Sequence, residues 1–302
     1  MFLVAGITGQ VGGAAARRLL DAGHAVRALV RDPRRASAWA DRGVDVRQGD
    51  LNDAGAVATA LDGVEGAFLM LPPVMAPAPG HPEARAIITS VREALRQAPP
   101  PRLVVLSSIG SERTSGLGII TSTHLLEQAL ADAPFPVAFV RAGAFIENLA
   151  HGLERVAETG YFDTFLVPTE RAVPMIATED IGGQVARLLA EEWSGARIVE
   201  LGTRYSPDDV ARDMAAVLGR PVRARAIPRA QWPAVLEAIG IPAGRTGPYE
   251  EMEDSFNAGW IDFGVAGTEP VAGTTTPAQV FARALQARDG DSHTGARAGA
   301  AS

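Results

Sequence analysis

Short unbroken apolar runs alternate along the first half of the chain with longer segments whose apolar residues recur at helical spacing. The runs Phe2 to Ala5, Ala25 to Val30, Val44 to Gln48, Gly66 to Leu71, Arg102 to Ser107 and Val137 to Arg141 predict strands. Helices are predicted over Val11 to Ala22, from Asp53 onward, over Glu83 to Gln97 and over Leu117 to Ala131. Strands that are apolar on both faces, separated by amphipathic helices, predict a parallel sheet covered on both sides. Right-handed crossovers make it an α/β, doubly wound sheet of the Rossmann type.

The second half is less regular. Helices are expected from Asn148 to Thr159, from an N-cap at Thr178 to Glu191, from Ser206-Pro207 to Leu218, over Arg229 to Ile239, over Pro248 to Trp260 and from Thr276-Pro277 to near Leu285. Arg197 to Leu201 reads as a late strand of the main sheet and Pro221 to Ile227 as a short separate one. The expected division is a Rossmann core over 1–145, with segments near 175–202 returning to it. A smaller substrate lobe follows over 146–287, and then a Gly-, Ala-, Ser- and Asp-rich tail over 288–302, expected to be disordered.

Composition narrows the chemistry. Of the 302 residues, 47% are hydrophobic and 21% charged, as in ordinary globular proteins, and the net charge of -7 argues against direct, non-specific nucleic-acid binding. With no cysteine there is no thiolate nucleophile, and all 28 basic residues are arginine, so no lysine can be catalytic. Met1 leads directly into Phe2-Leu3-Val4, and no apolar run approaches a membrane span, which predicts a cytoplasmic protein.

The stretch Gly6-Ile7-Thr8-Gly9-Gln10-Val11-Gly12 joins the first strand to the first helix. In that context Gly6 permits a tight turn, Gly9 lets backbone approach a diphosphate, and Gly12 lets helix and strand pack closely. The N–H groups at the helix start then face the anion, so this loop points to a dinucleotide. Beyond the second strand, Arg31 is followed by Asp32, Arg34 and Arg35. A guanidinium suits a ribose 2′-phosphate, which favours NADP(H) with Arg31 as the contact; Asp32 leaves NAD(H) open. Asp50-Leu51, Leu71-Pro72 and Ser107-Ser108 follow the third, fourth and fifth strands, where ligands of open α/β sheets lie.

These motifs, with Leu29-Val30-Arg31-Asp32-Pro33, Gly49-Asp50-Leu51, Leu106-Ser107-Ser108, Glu127-Gln128-Ala129-Leu130, Arg141 to Asn148, Thr178-Glu179-Asp180-Ile181 and Gly259 to Phe263, resemble the NmrA-like proteins. That group is an atypical branch of the short-chain dehydrogenase/reductase superfamily. The resemblance implies a Rossmann domain, a small C-terminal substrate lobe and a groove between them, and brings Ala144 and Phe145 into the cofactor set. Such proteins include quinone and ketone reductases and also silent redox-sensing regulators. Related dehydrogenases use Ser, Tyr and Lys, with Tyr and Lys four apart on the fifth helix. The pattern places those two near Ile119 and Thr123, and neither can serve; the only tyrosines are Tyr161, Tyr205 and Tyr249.

Without that dyad, the candidate catalytic groups are Ser108, in the family's serine region, and His124 on the fifth helix; a packing role for His124 stays open. Asn148 and His151 are candidate substrate contacts, although Asn148 equally suits a helix cap. His24 and His81 read as turn residues, and the five histidines show no metal-ligand spacing. Glu250, Glu251, Glu253 and Asp254 read as a solvated helix face. Phe145, Phe162, Phe165, Trp232 and Trp260 are either an apolar substrate wall or core.

The expected function is an NAD(P)H-dependent reductase of a small-molecule ketone or quinone. A bulky aromatic, polyketide-like ketone with an adjacent phenol would stabilise its own alkoxide. The alternative is a silent NADP(H)-sensing regulator acting through a protein partner. Oligomeric state is not legible.

Overall fold

The computed structural model describes residues 1–298, with side chains as far as 288. Its Rossmann half runs β1 (Phe2–Ala5), α1 (Gln10–Asp21), β2 (Val26–Val30), α2 (Ser37–Ala40), β3 (Asp45–Gln48), α3 (Ala54–Leu61), β4 (Gly66–Leu69), α4 (Pro82–Gln97), β5 (Leu103–Ser108), α5 (Thr121–Leu130) and β6 (Val137–Ala142). The remainder runs β7 (Ala144–Phe145), α6 (Ile146–Ala150), α7 (Leu153–Thr159), β8 (Tyr161–Thr164), β9 (Val173–Ile176), α8 (Thr178–Ala190), β10 (Ala196–Leu201) and β11 (Thr203–Tyr205). It ends with α9 (Pro207–Leu218), β12 (Arg223–Ala226), α10 (Trp232–Ala238), α11 (Gly247–Asn257), β13 (Glu269–Val271) and α12 (Pro277–Ala298).

Eight strands form one sheet in the order β13-β10-β6-β5-β4-β1-β2-β3, and every pairing in it is parallel. The order reverses direction at β1, which pairs with β2 on one side (Phe2 opposite Val26) and β4 on the other (Phe2 opposite Gly66). The crevice beyond the carboxyl ends of β1 and β4 is therefore the topological switch point.

Each face of the sheet is covered by helices whose apolar stripes the sequence pattern marks. Val11, Ala15 and Leu19 of α1 and Ile181, Val185 and Leu188 of α8 bury against Val4, Ala28 and Val104. On the other face Val57 of α3, Ile88 and Val91 of α4 and Leu126 of α5 bury against Leu3, Leu69 and Val105. A third core, containing Leu153, Phe162, Met214, Met252 and Phe281, joins α7, β8, α9, α11 and α12 into the second lobe. No helix among the described residues is long and apolar enough to cross a membrane.

The second half departs from the pattern in instructive places. The helix expected from Asn148 to Thr159 is two, α6 and α7, parted at His151 and Gly152. Thr178 is not the cap of α8 but its first residue; Ala177 occupies the N-cap, and the Thr178 hydroxyl donates to Glu147 at 2.7 Å. The helix expected from Leu117 opens as a 3-10 turn over Gly118–Ile120, because Gly118 adopts φ +53°. The strand near Pro221 is β12, paired with β8 outside the main sheet. Ser206 behaves as expected, forming a capping box with Asp209. The chain returns to the main sheet twice, through β10 and again through β13 at its edge. The last helix extends to Ala298, past Leu285 and into the tail expected to be disordered; of that tail, 299–302 lie outside the described residues.

Gly182 marks where α8 meets α1: a Cβ there would lie 2.6 Å from the Ala15 backbone nitrogen. Gly182→Ala is therefore expected to cost about 1–3 kcal/mol through overpacking and to lower the melting temperature by several degrees. An unchanged melting curve would show that these helices are less tightly apposed.

Candidate active site at the carboxyl edge of the sheet

The loop from β1 to α1 is built around three glycines. Gly6 has φ +69°, which the turn requires. The Gly9 N–H donates to the Gly6 carbonyl at 2.8 Å, and a Cβ on Gly9 would lie 3.3 Å from that same oxygen. At Gly12 a Cβ would lie 2.5 Å from the Gly6 carbonyl carbon and 2.7 Å from the Ala5 oxygen, so only glycine lets α1 start this close to β1. Unlike α3, where Asp53 accepts from the Ala56 N–H, α1 has no side-chain cap. The first-turn N–H groups of Gln10, Val11 and Gly12 are left for a ligand. Thr8, Gly9 and Gln10 are exposed beside them, whereas the Val11 side chain is buried in the core. The glycine cradle thus fits a dinucleotide diphosphate.

The turn after β2 is arranged by an internal ion pair. Asp32 accepts from the Arg34 side chain at 3.0 and 2.9 Å and from its N–H at 3.1 Å. These Arg34 bonds hold the Asp32 carboxyl below its ordinary range. Asp32 is thereby occupied in capping a short 3-10 turn, while Arg31 and Arg35 remain exposed. Asp50 closes its own turn, accepting from Asn52 N–H and Nδ2 at 2.8 and 2.9 Å. Those bonds, with the Arg31 charge adding to them, keep its carboxyl low. Leu51 and Leu71 are half-buried against the core; Pro72 is exposed.

Ser107 and Ser108 end β5 side by side but differ in role. Ser107 is buried, and its hydroxyl donates to Glu127 Oε1 at 2.5 Å. Glu127 in turn accepts from Arg141 Nε at 2.9 Å and Nη2 at 2.6 Å, and Arg141 also donates to Glu112 at 3.1 Å. Although burial disfavours its charge, the Glu127 bonds, backed by Glu112 and Glu200, hold the Arg141 guanidinium above its ordinary value. Thr123 gives its hydroxyl proton to the Ile120 carbonyl at 2.8 Å, so Ser111 donates to Thr123 across their 2.8 Å contact. The Ser107 side chain is thus committed to the protein, which leaves its backbone for any cofactor contact. Ser108 is partly exposed, and its hydroxyl makes one bond, to the Ile109 carbonyl at 3.1 Å. His124 is half-buried, with Nδ1 2.8 Å from the Ser111 carbonyl. That bond fixes Nδ1–H and leaves Nε2 free.

Along β7 and α6, Ala144, Asn148 and His151 are all exposed, and Phe145 is half-buried against the main core. Asn148 lies inside α6, whose N-cap is Phe145, so the capping role weighed for Asn148 does not hold. Of the aromatic residues, Phe162 and Trp232 are core. Trp260 is 42% exposed and carries Arg113 over its ring at 4.1 Å. Phe165 stacks edge-on between Trp232 and Tyr249, with centroids 5.3 and 6.0 Å apart. The acidic face of α11 is not uniformly solvated: Glu250 is ion-paired to Arg229, and Glu253 is closely surrounded. Sequence reasoning missed the Arg141–Glu127 pair and the inner face of α11. A charged residue in the otherwise apolar strand β6 was the available signal for the first.

The chain matches the model of the NmrA-like family over residues 1–262. It is 28% identical over 289 residues to an NAD(P)H azoreductase of Xenophilus azovorans, covering 95% of this chain and 97% of that protein. It is 26% identical over 249 residues to quinone oxidoreductase 2 of Escherichia coli, covering 81% and 84%. An NADPH complex of an NADPH-dependent quinone oxidoreductase from Escherichia coli superposes with a TM-score of 0.78 at 24% identity, covering 94% of this chain and 100% of that one.

Removing one partner of the buried pair strands the other. Glu127→Ala is expected to cost about 3–5 kcal/mol in urea unfolding, and joint replacement of Glu127 and Arg141 by leucine less than that. Equal losses in the single and double variants would contradict the pairing.

Proposed function

The chain belongs to the NmrA-like family, and on that premise we propose that it is an NAD(P)H-dependent reductase of a ketone or quinone, with NADP(H) preferred. The observation that carries the reading is the uncapped start of α1, set so close to β1 that Gly12 has no room for a Cβ, with two free arginines beside a neutralised Asp32. The azoreductase and quinone oxidoreductase names of its relatives support the redox class.

When bound, the nicotinamide cofactor supplies a hydride. The α1 N–H groups hold its diphosphate, Arg31 and Arg35 take the 2′-phosphate, and Asp50 and Leu51 border the adenine. Leu71, Pro72, Ala144 and Phe145 line the crevice. Ser108 turns its hydroxyl from the Ile109 carbonyl to the acceptor oxygen and stabilises the charge that develops there. His124, held by Ser111, presents Nε2 for proton exchange with that site. Asn148 and His151 meet the acceptor from α6. Arg141 and Glu127 position the end of β5 against α5, the mechanical part of the work a dyad lysine would do, with no charge offered to the ligand.

The test is NADPH oxidation followed by its near-ultraviolet absorbance against quinones and bulky aromatic ketones. Substrate-dependent oxidation is expected, with Ser108→Ala lowering kcat by about 100-fold at unchanged NADPH affinity. Tight NADPH binding with no turnover on any acceptor would instead make the protein a nucleotide-responsive regulator. That outcome is the one the missing Tyr and Lys would favour.

A further inference from the structure

A groove of about 380 Å³ runs between α4 and α5, a volume within the range of small-molecule sites. None of the residues assigned above to the cofactor or the acceptor lines it. On α4 the lining residues Arg85, Ile88, Arg92 and Arg96 recur at helical spacing and share one face. Leu125, Gln128 and Ala129 face them from α5. The floor is apolar: Ile88 is buried in the core on that side of the sheet, and Leu125 and Ala129 pack half-buried against it. The rim is basic, with three arginines and no acid among the lining residues. In a chain of net charge -7 this is a local reversal of sign.

The rim arginines are lightly engaged. Arg85 donates its Nε to the Gly80 carbonyl at 2.8 Å. Arg92 stands 3.9 Å from Asp132, and Arg96 meets Glu93 at 3.1 Å; both pairs are open to solvent. Exposed pairs of this kind are weak and exchange readily with other anions. A larger groove, of about 480 Å³ between α9 and β12, shows the contrast. It has Arg212 and Arg223, but Asp208 lies among them and Arg212 is bonded to Asp209 at 2.8 Å.

We propose that the α4–α5 groove is a second ligand site of this protein and binds a monomeric amphiphilic anion, a phosphate or carboxylate head on an apolar body. Arg92 and Arg96, one helical turn apart, clasp the head, and Gln128 offers its amide from α5. The body lies over Ile88, Leu125 and Ala129. Guanidinium groups suit a head with several oxygens, and the apolar floor gains by leaving water. An inorganic anion would use the rim and leave the floor wet. A neutral apolar molecule would cover the floor and leave the rim unanswered. Charge argues against a second copy of the chain here, because a two-fold contact would set the same basic patch against itself.

The experiment titrates the full chain with octyl phosphate, below its micellar concentration, by calorimetry. Inorganic phosphate and octanol serve as the two halves of that ligand. Octyl phosphate should bind one site per chain, at least about tenfold tighter than either half. Arg92→Gln combined with Arg96→Gln should weaken it by about tenfold or more. The same loss of charge in Arg212→Gln combined with Arg223→Gln should leave its affinity unaltered, and so should Arg31→Ala. Binding no tighter than that of the halves overturns the proposal. Equal losses in the two double variants also overturn it, since they report net charge alone. A loss in Arg31→Ala does so too, by placing the ligand in the cofactor crevice. A map on wild type is independent of how any variant folds: the backbone amide shifts caused by octyl phosphate should concentrate in residues 85–96 and 125–129. Shifts centred on residues 6–12 would overturn the assignment. A wild type that sediments as a dimer, with the Arg92 and Arg96 double variant monomeric, would give the groove to a second copy instead.

Discussion

The close approach of α1 to the end of β1 is the constraint on which the rest depends. A Cβ at Gly12 would meet both the Ala5 oxygen and the Gly6 carbonyl carbon, and a Cβ on Gly6 would meet the Met70 sulfur at 3.0 Å from across the switch point. Because neither is present, the first turn of α1 lies against the crevice with its N–H groups unspent. The same helix is clamped from behind by α8 through Gly182, so its start cannot drift away from β1. A helix terminus has an incomplete hydrogen-bond set, which α3 and α9 complete with side-chain caps. At the start of α1 the set is left open beside the glycine turn, where an anion can complete it.

The first half of this arrangement is legible in the sequence because parallel strands and their helices carry strong, distinct periodicities. The six early strands fall within a residue or two of their predicted positions, and Asp53 caps α3. The Gly6, Gly9 and Gly12 spacing reads directly as geometry. The second lobe is less legible because its elements are short and half-exposed. Thr178 looks like a cap but sits inside α8, and its hydroxyl serves Glu147 from a different element. The pattern along α11 shows Glu253 among other acids, and only the fold turns that residue inward. Ser107 and Ser108 are adjacent and chemically alike, yet one is spent on buried Glu127 and the other only on the neighbouring Ile109 carbonyl. Sequence cannot separate them, since the difference lies in which face of the strand end meets α5.

A chain without lysine has to manage charge at this site with arginine. Arginine keeps its proton in any environment and presents a planar fork, so it serves well for pairing and poorly for proton transfer. The structure uses it that way. Arg141 is buried and doubly bonded to Glu127, Arg34 neutralises Asp32, and Arg31 and Arg35 stay open to a phosphate. On the reductase reading, oxyanion contact and proton exchange fall to Ser108 and His124 rather than to a lysine. Such a division accounts for how a reductase can lack the Tyr–Lys pair without losing the frame that the pair ordinarily braces.

The central claim is that the crevice is built for a phosphorylated dinucleotide, and the most direct measurement is the affinity of NADPH against NADH, by calorimetry, for wild type and Arg31→Ala. The account predicts that NADPH binds at least about tenfold tighter to wild type, consistent with a charge-assisted guanidinium–phosphate pair. It also predicts that Arg31→Ala erodes that margin while NADH affinity holds. Equal affinity for the two nucleotides, or no binding of either, would contradict it.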